Sequence, residues 1–149
     1  MQDQATELRT FFDEYAALFN DALGGSPDLE AIAAQYTDAF MGAGPDGVMP
    51  GQNDAAFVEM LGQVYERYVA LGTKHMAVRD VAVTPIDAQH AMARVDYRAS
   101  YVRPSDNEPI EIDFDVTYIL QKQDRWRVFA FIAGDEQAAY REYGLMPSE

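Results

Sequence analysis

Residues 91–103, AMARVDYRASYVR, and 110–122, IEIDFDVTYILQK, flank the polar stretch 104–109, PSDNEP. Both arms alternate with period two, as strands do when one face is buried and the other wet. Ala91, Ala93, Val95, Tyr97, Ala99 and Tyr101 share one face of the first arm, and Ile110, Ile112, Phe114, Val116, Tyr118 and Leu120 share one face of the second. The opposite faces carry Arg94, Asp96, Arg98 and Ser100 against Glu111, Asp113, Asp115 and Thr117. Keeping apolar with apolar requires Arg98 to pair with Asp113 or Asp115, which makes a cross-strand ladder of opposite charges. The hairpin therefore has a core- or pocket-facing side and a side for water or a partner.

Upstream the pattern changes to helical spacing. Leu8, Phe11, Phe12, Tyr15, Leu18, Phe19, Ala22 and Leu23 form one apolar stripe, and Gly24-Gly25 end it, because glycine accepts the left-handed conformation at a helix C-terminus. Ser26-Pro27 read as the cap and first turn of a short helix bearing Leu29, Ile32 and Ala33 and running out near Tyr36. Glycines and prolines between Gly42 and Gly51 forbid a helix there, so a brief strand is expected at 38–41 and a second at 47–49. Gly42, Gly44 and Gly47 match the letters G-x-G-x-x-G. No βαβ unit surrounds them and no helix opens at the third glycine, so a dinucleotide site is not expected. Asn53 is read as the cap of a long helix with Phe57, Met60, Leu61, Val64, Tyr65, Tyr68 and Leu71 on its apolar face, ended by Gly72. Strands follow: MAVRDVAVTP (76–85), a turn at Pro85-Ile86-Asp87, the two hairpin arms, and RWRVFAFIA (125–133). The tail from Asp135 to Tyr143 has room for a turn or two of helix. Helices gathered ahead of an antiparallel meander define an α+β class.

Length and composition limit the function. The 149 residues suit one domain, 1–149, with a single core, and 48% hydrophobic residues are usual for a globular chain. Twenty-five acidic residues against eleven Lys and Arg leave a formal charge of −14, which repels phosphate backbones and anionic lipid, so neither nucleic-acid nor membrane partners are expected. Without cysteine there is no disulfide, thiol nucleophile or thiolate metal site. MQDQATELRT has no apolar core of a secretory leader, and no apolar run approaches the ~20 residues of a membrane helix. A cytoplasmic protein is the expectation.

Four phrases, FFDEYAALFN (11–20), DLEAIAAQYTDAF (28–40), PDGV (45–48) and WRVFAFIA (126–133), resemble the nuclear-transport-factor-2-like superfamily, the cone-shaped α+β fold of SnoaL-like polyketide cyclases and ketosteroid isomerases. The resemblance spans nearly the whole chain, and its motifs bear on fold more than on function. It implies N-terminal helices on a curved, mainly antiparallel sheet that encloses an apolar pocket. Carried onto this chain, the wall would comprise Val95, Tyr97, Val116, Tyr118, Phe129 and Phe131 from the sheet, Tyr15 from the first helix, and Phe40 and Met60 nearby. It also implies a homodimer formed through the convex, Arg94/Asp96/Arg98 face, where mixed charge is self-complementary under two-fold symmetry. In the related isomerases an aspartate base works with an oxyanion hole of a tyrosine and a protonated aspartate. By the resemblance Tyr15 falls at the oxyanion tyrosine, Tyr118 at the protonated aspartate and Gly44 at the base. A glycine abstracts no proton, so the isomerase reaction is not expected.

His75 and His90, the only histidines, lack metal-ligand spacing, so neither a metal site nor a cofactor is expected. Tyr15, Tyr97 and Tyr118 are read inward, either as core tyrosines bonded to one another or to backbone, or as hydroxyl donors of a pocket for a flat, weakly polar ring compound. Met41, Met49 and Met60 would add adaptable walls. The leading expectation is thus a small-molecule-binding protein with no evident catalytic base. One alternative is a SnoaL-like cyclase, isomerase or hydrolase acting on a hydrophobic ring compound through Asp38, Asp46 or His90. A further alternative is a protein-interaction module with a filled core.

Overall fold

A computed structural model describes residues 3–146. Its elements, in chain order, are α1 (Gln4–Leu23), α2 (Leu29–Ala33), β1 (Tyr36–Gly44), β2 (Gly47–Gln52), α3 (Ala55–Ala70), β3 (Thr73–Asp87), β4 (His90–Val102), β5 (Pro109–Lys122), β6 (Trp126–Ala133) and α4 (Glu136–Glu142). Six strands form one curved, open, mixed sheet in the order β2-β1-β6-β5-β4-β3. β3 to β6 are the antiparallel meander read from the sequence, while β1 adds to β6 in parallel and pairs with β2 as a hairpin. The class is α+β, as expected.

Pairing of β4 with β5 places Arg98 opposite Asp113, Ala93 opposite Tyr118 and Tyr97 opposite Phe114. The charged ladder lies on the outer face. Arg98 binds Asp113 in a two-point fork at 2.7 and 2.9 Å, Arg79 reaches the same carboxylate at 3.1 Å, and Arg94 reaches Asp115 at 3.1 Å. These pairs are exposed, so each contributes only ~0.2–1 kcal/mol.

On the inner face α1 lays Leu8, Phe11 and Phe12 against Val95, Tyr97, Tyr118, Leu120 and Val128, forming the main core cluster. Phe12 and Leu8 are fully buried, and each such side chain stabilises by about 1.5–3 kcal/mol. Glu7 anchors this end. Its carboxylate accepts from the Trp126 indole N–H at 2.8 Å and from Lys122 at 3.0 Å, which hold its pKa below the usual value.

Several helix ends differ from the expected positions. Asp28, not Ser26, caps α2 by accepting from the Ala31 N–H, since Leu29 is the first helical residue. Asp54, not Asn53, caps α3 by accepting from Phe57. Asn53 instead donates to the Ala33 and Tyr36 carbonyls at 2.8 and 3.2 Å, tying α2 to β1. β1 and β2 run longer than expected, and the turn before β4 falls at 88–89, past Pro85-Ile86-Asp87. The glycine motif is the β1–β2 hairpin, with Gly44 paired to Gly47. At Gly72, φ is +93° and an added Cβ would strike the Val102 carbonyl, so only glycine makes the turn from α3 into β3.

Candidate functional site

Between the sheet's inner face and α1, α3 and α4 lies a cavity of about 280 Å³, near the lower end of the roughly 300–1,000 Å³ usual for small-molecule pockets. Period-two alternation puts Tyr97, Ala99 and Tyr101 of β4 and Phe114, Val116 and Tyr118 of β5 on its floor. The i, i+3/i+4 face of α3 supplies Met60, Val64, Tyr65 and Tyr68. Eight of the chain's nine tyrosines, all but Tyr143, line this one space.

Their hydroxyls form two groups. The inner group joins Tyr97 to Tyr118 at 2.7 Å and Tyr15 to Tyr36 at 3.3 Å. Tyr15 and Tyr118 also hold rings edge to face, with centroids 6.0 Å apart. The second group lies beside α4, where the Tyr140 hydroxyl donates to Glu136 Oε1 at 3.4 Å. The Tyr68 side chain lines the same end of the cavity, and the Tyr101 and Tyr140 rings meet edge to face with centroids 6.1 Å apart. Burial raises the pKa of all eight phenols. They therefore remain neutral O–H donors, and none serves as a phenolate base. Thr73, nearly fully buried opposite Tyr101 in the sheet, contributes a cavity-side hydroxyl with no partner among the described residues.

Seven of the nine residues expected on the wall reach the cavity: Tyr15, Phe40, Met60, Tyr97, Val116, Tyr118 and Phe131. Val95 does not. It is fully buried in the core cluster, and its larger neighbours Tyr97 and Tyr118 reach the cavity in its place. Phe129 also does not. β6 breaks register, with Leu120 opposite Val128 but Ile119 opposite Ala130. This extra residue reverses the alternation, so Val128 and Phe131 both point inward while Phe129 packs against His90 on the outer face, ring centroids 6.3 Å apart. Gly42 lets Phe131 lie flat on β1, since a Cβ there would come within 2.7 Å of the ring.

None of the three acid/base candidates faces the cavity. Asp38 and Asp46 are exposed, and His90 lies on the outer face, held by Asp87 at 2.8 Å and Gln121 at 3.1 Å. Gly44, at the position of the isomerase base, lies in the β1–β2 hairpin and is not part of the wall. The acidic group that does line the cavity is Glu136, which the sequence reading passed over. The residue as a whole is exposed, yet its carboxylate turns toward the cavity, and burial there raises its pKa despite the Tyr140 and Tyr68 hydroxyls. Available signals were the Asp135 cap, which accepts from Ala138 at 2.9 Å, and the i, i+4 spacing of Glu136 and Tyr140 on the helix that follows. Among the described residues no three acidic or histidine side chains converge as metal ligands would, and no helix is long and apolar enough to cross a membrane.

A curved sheet wrapped around helices, with an apolar space between them, defines the class as the nuclear-transport-factor-2-like cone. The chain belongs to the family described as NTF2-like protein (DUF6841), whose sequence profile matches residues 6–136. Solved structures share the fold. A ketosteroid isomerase-like protein from Erwinia carotovora atroseptica superposes with a TM-score of 0.63 at 19% identity, covering 90% of this chain and 97% of its own. An NTF2-like protein with a cystatin-like fold from Novosphingobium aromaticivorans gives 0.64 at 19% identity, covering 96% and 88%. An NTF2-like superfamily protein from Salmonella enterica gives 0.60 at 13% identity, covering 86% and 87%. At these identities the likeness concerns architecture alone. No curated protein matches the sequence.

Proposed function

We propose that this protein binds a small organic molecule of one or two rings, mainly apolar and bearing a hydroxyl or carbonyl, inside the cone. The observation that carries this reading is the convergence of eight tyrosines on one cavity. Their ring faces and edges suit a flat apolar body, and their neutral hydroxyls suit a weakly polar tip. Isothermal calorimetry with 4-ethylphenol tests it. Wild-type protein should bind saturably with one site, and Met60→Trp, which plugs the half-exposed side of the wall, should remove binding without lowering Tm. Absence of binding to the wild type would reject the reading.

A second reading is favoured by Glu136, a cavity-facing carboxylate with a raised pKa. Such a group fits an acid/base role in an enzyme acting on a hydrophobic ring compound, and one solved relative is described as ketosteroid isomerase-like. Chemical change in a bound ring compound, lost in Glu136→Gln, would select this reading. The working unit we propose is a homodimer formed through the outer sheet face, where the Arg94/Asp115 and Arg98/Asp113 pairs alternate in sign beside the exposed apolar side chains Met92 and Ile132.

A further inference from the structure

The α4 end of the cavity differs from the rest in charge. Among all its lining residues there is no lysine, arginine or histidine, and the one ionisable carboxylate is Glu136. A surface groove continues outward from this end, sharing Tyr101, Phe114, Val116, Ala133, Glu136 and Tyr140 with the cavity. Four carboxylates line that groove, and again no cation does. Three of the four have structural work. Asp113 is held by Arg79 and Arg98, Asp115 by Arg94, and Asp135 caps α4. Glu136 has no ion-pair partner among the described residues, only the hydroxyl of Tyr140.

Glu136 keeps exposed surface at the mouth of an apolar cavity, and a carboxylate there with no counter-charge of its own favours a cationic ligand group. Around Glu136 stand the aromatic rings of Tyr68, Tyr101 and Tyr140, the last two with centroids 6.1 Å apart and edge to face. Ring faces attract organic cations, so carboxylate and rings favour the same kind of ligand group. The chain's formal charge of −14 draws cations toward such a groove.

We infer that the cavity takes an amphiphilic organic cation: an aryl-alkyl amine whose ammonium sits on Glu136 within the Tyr68/Tyr101/Tyr140 cage, and whose ring system lies toward the Tyr97–Tyr118 and Tyr15–Tyr36 hydroxyls. This inference rests on the proposed binding function and names the ligand class. Anionic ring compounds of the same shape are disfavoured, since no basic side chain in the wall can receive them. Reading the site as a carbonyl-binding acid requires Glu136 to be protonated, and it leaves the lack of a basic side chain beside Glu136 unexplained.

Three molecules that share a para-hydroxyphenyl ring and differ in the other end test this: tyramine (ammonium), 4-ethylphenol (neutral) and 3-(4-hydroxyphenyl)propanoate (carboxylate). Calorimetry should show tyramine binding at least about tenfold tighter than 4-ethylphenol, and the carboxylate weakest. Glu136→Gln should bring the tyramine affinity to that of 4-ethylphenol measured on the same variant, so that the loss of preference is read within one protein. Equal binding of all three, tighter binding of the carboxylate, or an unchanged preference in Glu136→Gln overturns the inference and leaves the cavity-binding reading standing. Failure of all three to bind overturns both.

Discussion

The inner tyrosine pair should respond unequally to loss of either hydroxyl. Tyr97 and Tyr118 are 1% and 3% exposed, and their hydroxyls lie 2.7 Å apart. Tyr118 has a second tyrosine beside it, Tyr15, with ring centroids 6.0 Å apart, whereas the Tyr97 hydroxyl bonds to Tyr118 alone among the described residues. The two single deletions should therefore be unequal. Tyr118→Phe leaves the Tyr97 hydroxyl buried and unpaired, at a cost of about 1–3 kcal/mol. For a chain of this length that is ~3–9 °C in Tm. Tyr97→Phe lets the Tyr118 hydroxyl turn to Tyr15, and less than about 1 kcal/mol should be lost. The double variant removes both ends of the bond and leaves no orphan at Tyr97, so it should be more stable than Tyr118→Phe alone, with a coupling energy of about 1 kcal/mol or more. Urea unfolding of the four proteins, with m-values checked for constancy, gives the cycle. Additive single effects, or a larger loss for Tyr97→Phe than for Tyr118→Phe, would refute the arrangement.

Two acidic residues and the outer face give further tests. Burial raises the Glu136 pKa above 4.5, so its charged form opposes folding above the folded value and not below the unfolded one. Glu136→Gln should accordingly raise Tm at about pH 7 and lose that gain by about pH 4; a gain that grows on acidification contradicts the assignment. Glu7 has the opposite sign. The Trp126 indole and Lys122 lower its pKa, giving stability that is complete above its unfolded value and lost as pH falls through the folded one. The sole tryptophan is Trp126 itself, so its fluorescence should show an acid transition that Glu7→Gln abolishes, and an unaltered transition would exclude the link. Light scattering should find a dimer that Arg98→Asp converts to monomer; a wild-type monomer at high concentration would remove the outer-face interface.

How far the sequence could be read depended on whether the deciding contact was local. Alternation in β4 and β5 fixed both faces of the hairpin, because one slipped residue would invert every side chain, and it narrowed the partner of Arg98 to Asp113 or Asp115, of which the structure pairs Asp113. Phe129 was misplaced because a bulge adds a residue without leaving a mark in the letters, and Phe129 and Phe131 look alike until β6 is paired with β5. The parallel join of β1 to β6 connects residues some ninety positions apart, for example Tyr36 with Val128, and local periodicity says nothing about it. Tyr65, Tyr68 and Tyr101 could be placed on apolar faces, but not on a shared cavity. Glu136 needed the third dimension most, since its i, i+4 contact with Tyr140 is local but only the return of α4 over the open end of the sheet brings the pair to the cavity.

Methionine methyl NMR reports whether a small ring compound occupies the cone. Met60 and Met76 line the cavity, whereas Met49 and Met92 are exposed away from it. On titration with 4-ethylphenol the Met60 and Met76 methyl signals should move together and saturate while those of Met49 and Met92 hold still. Motionless Met60 and Met76 signals, or shifts confined to Met49 and Met92, would contradict the account.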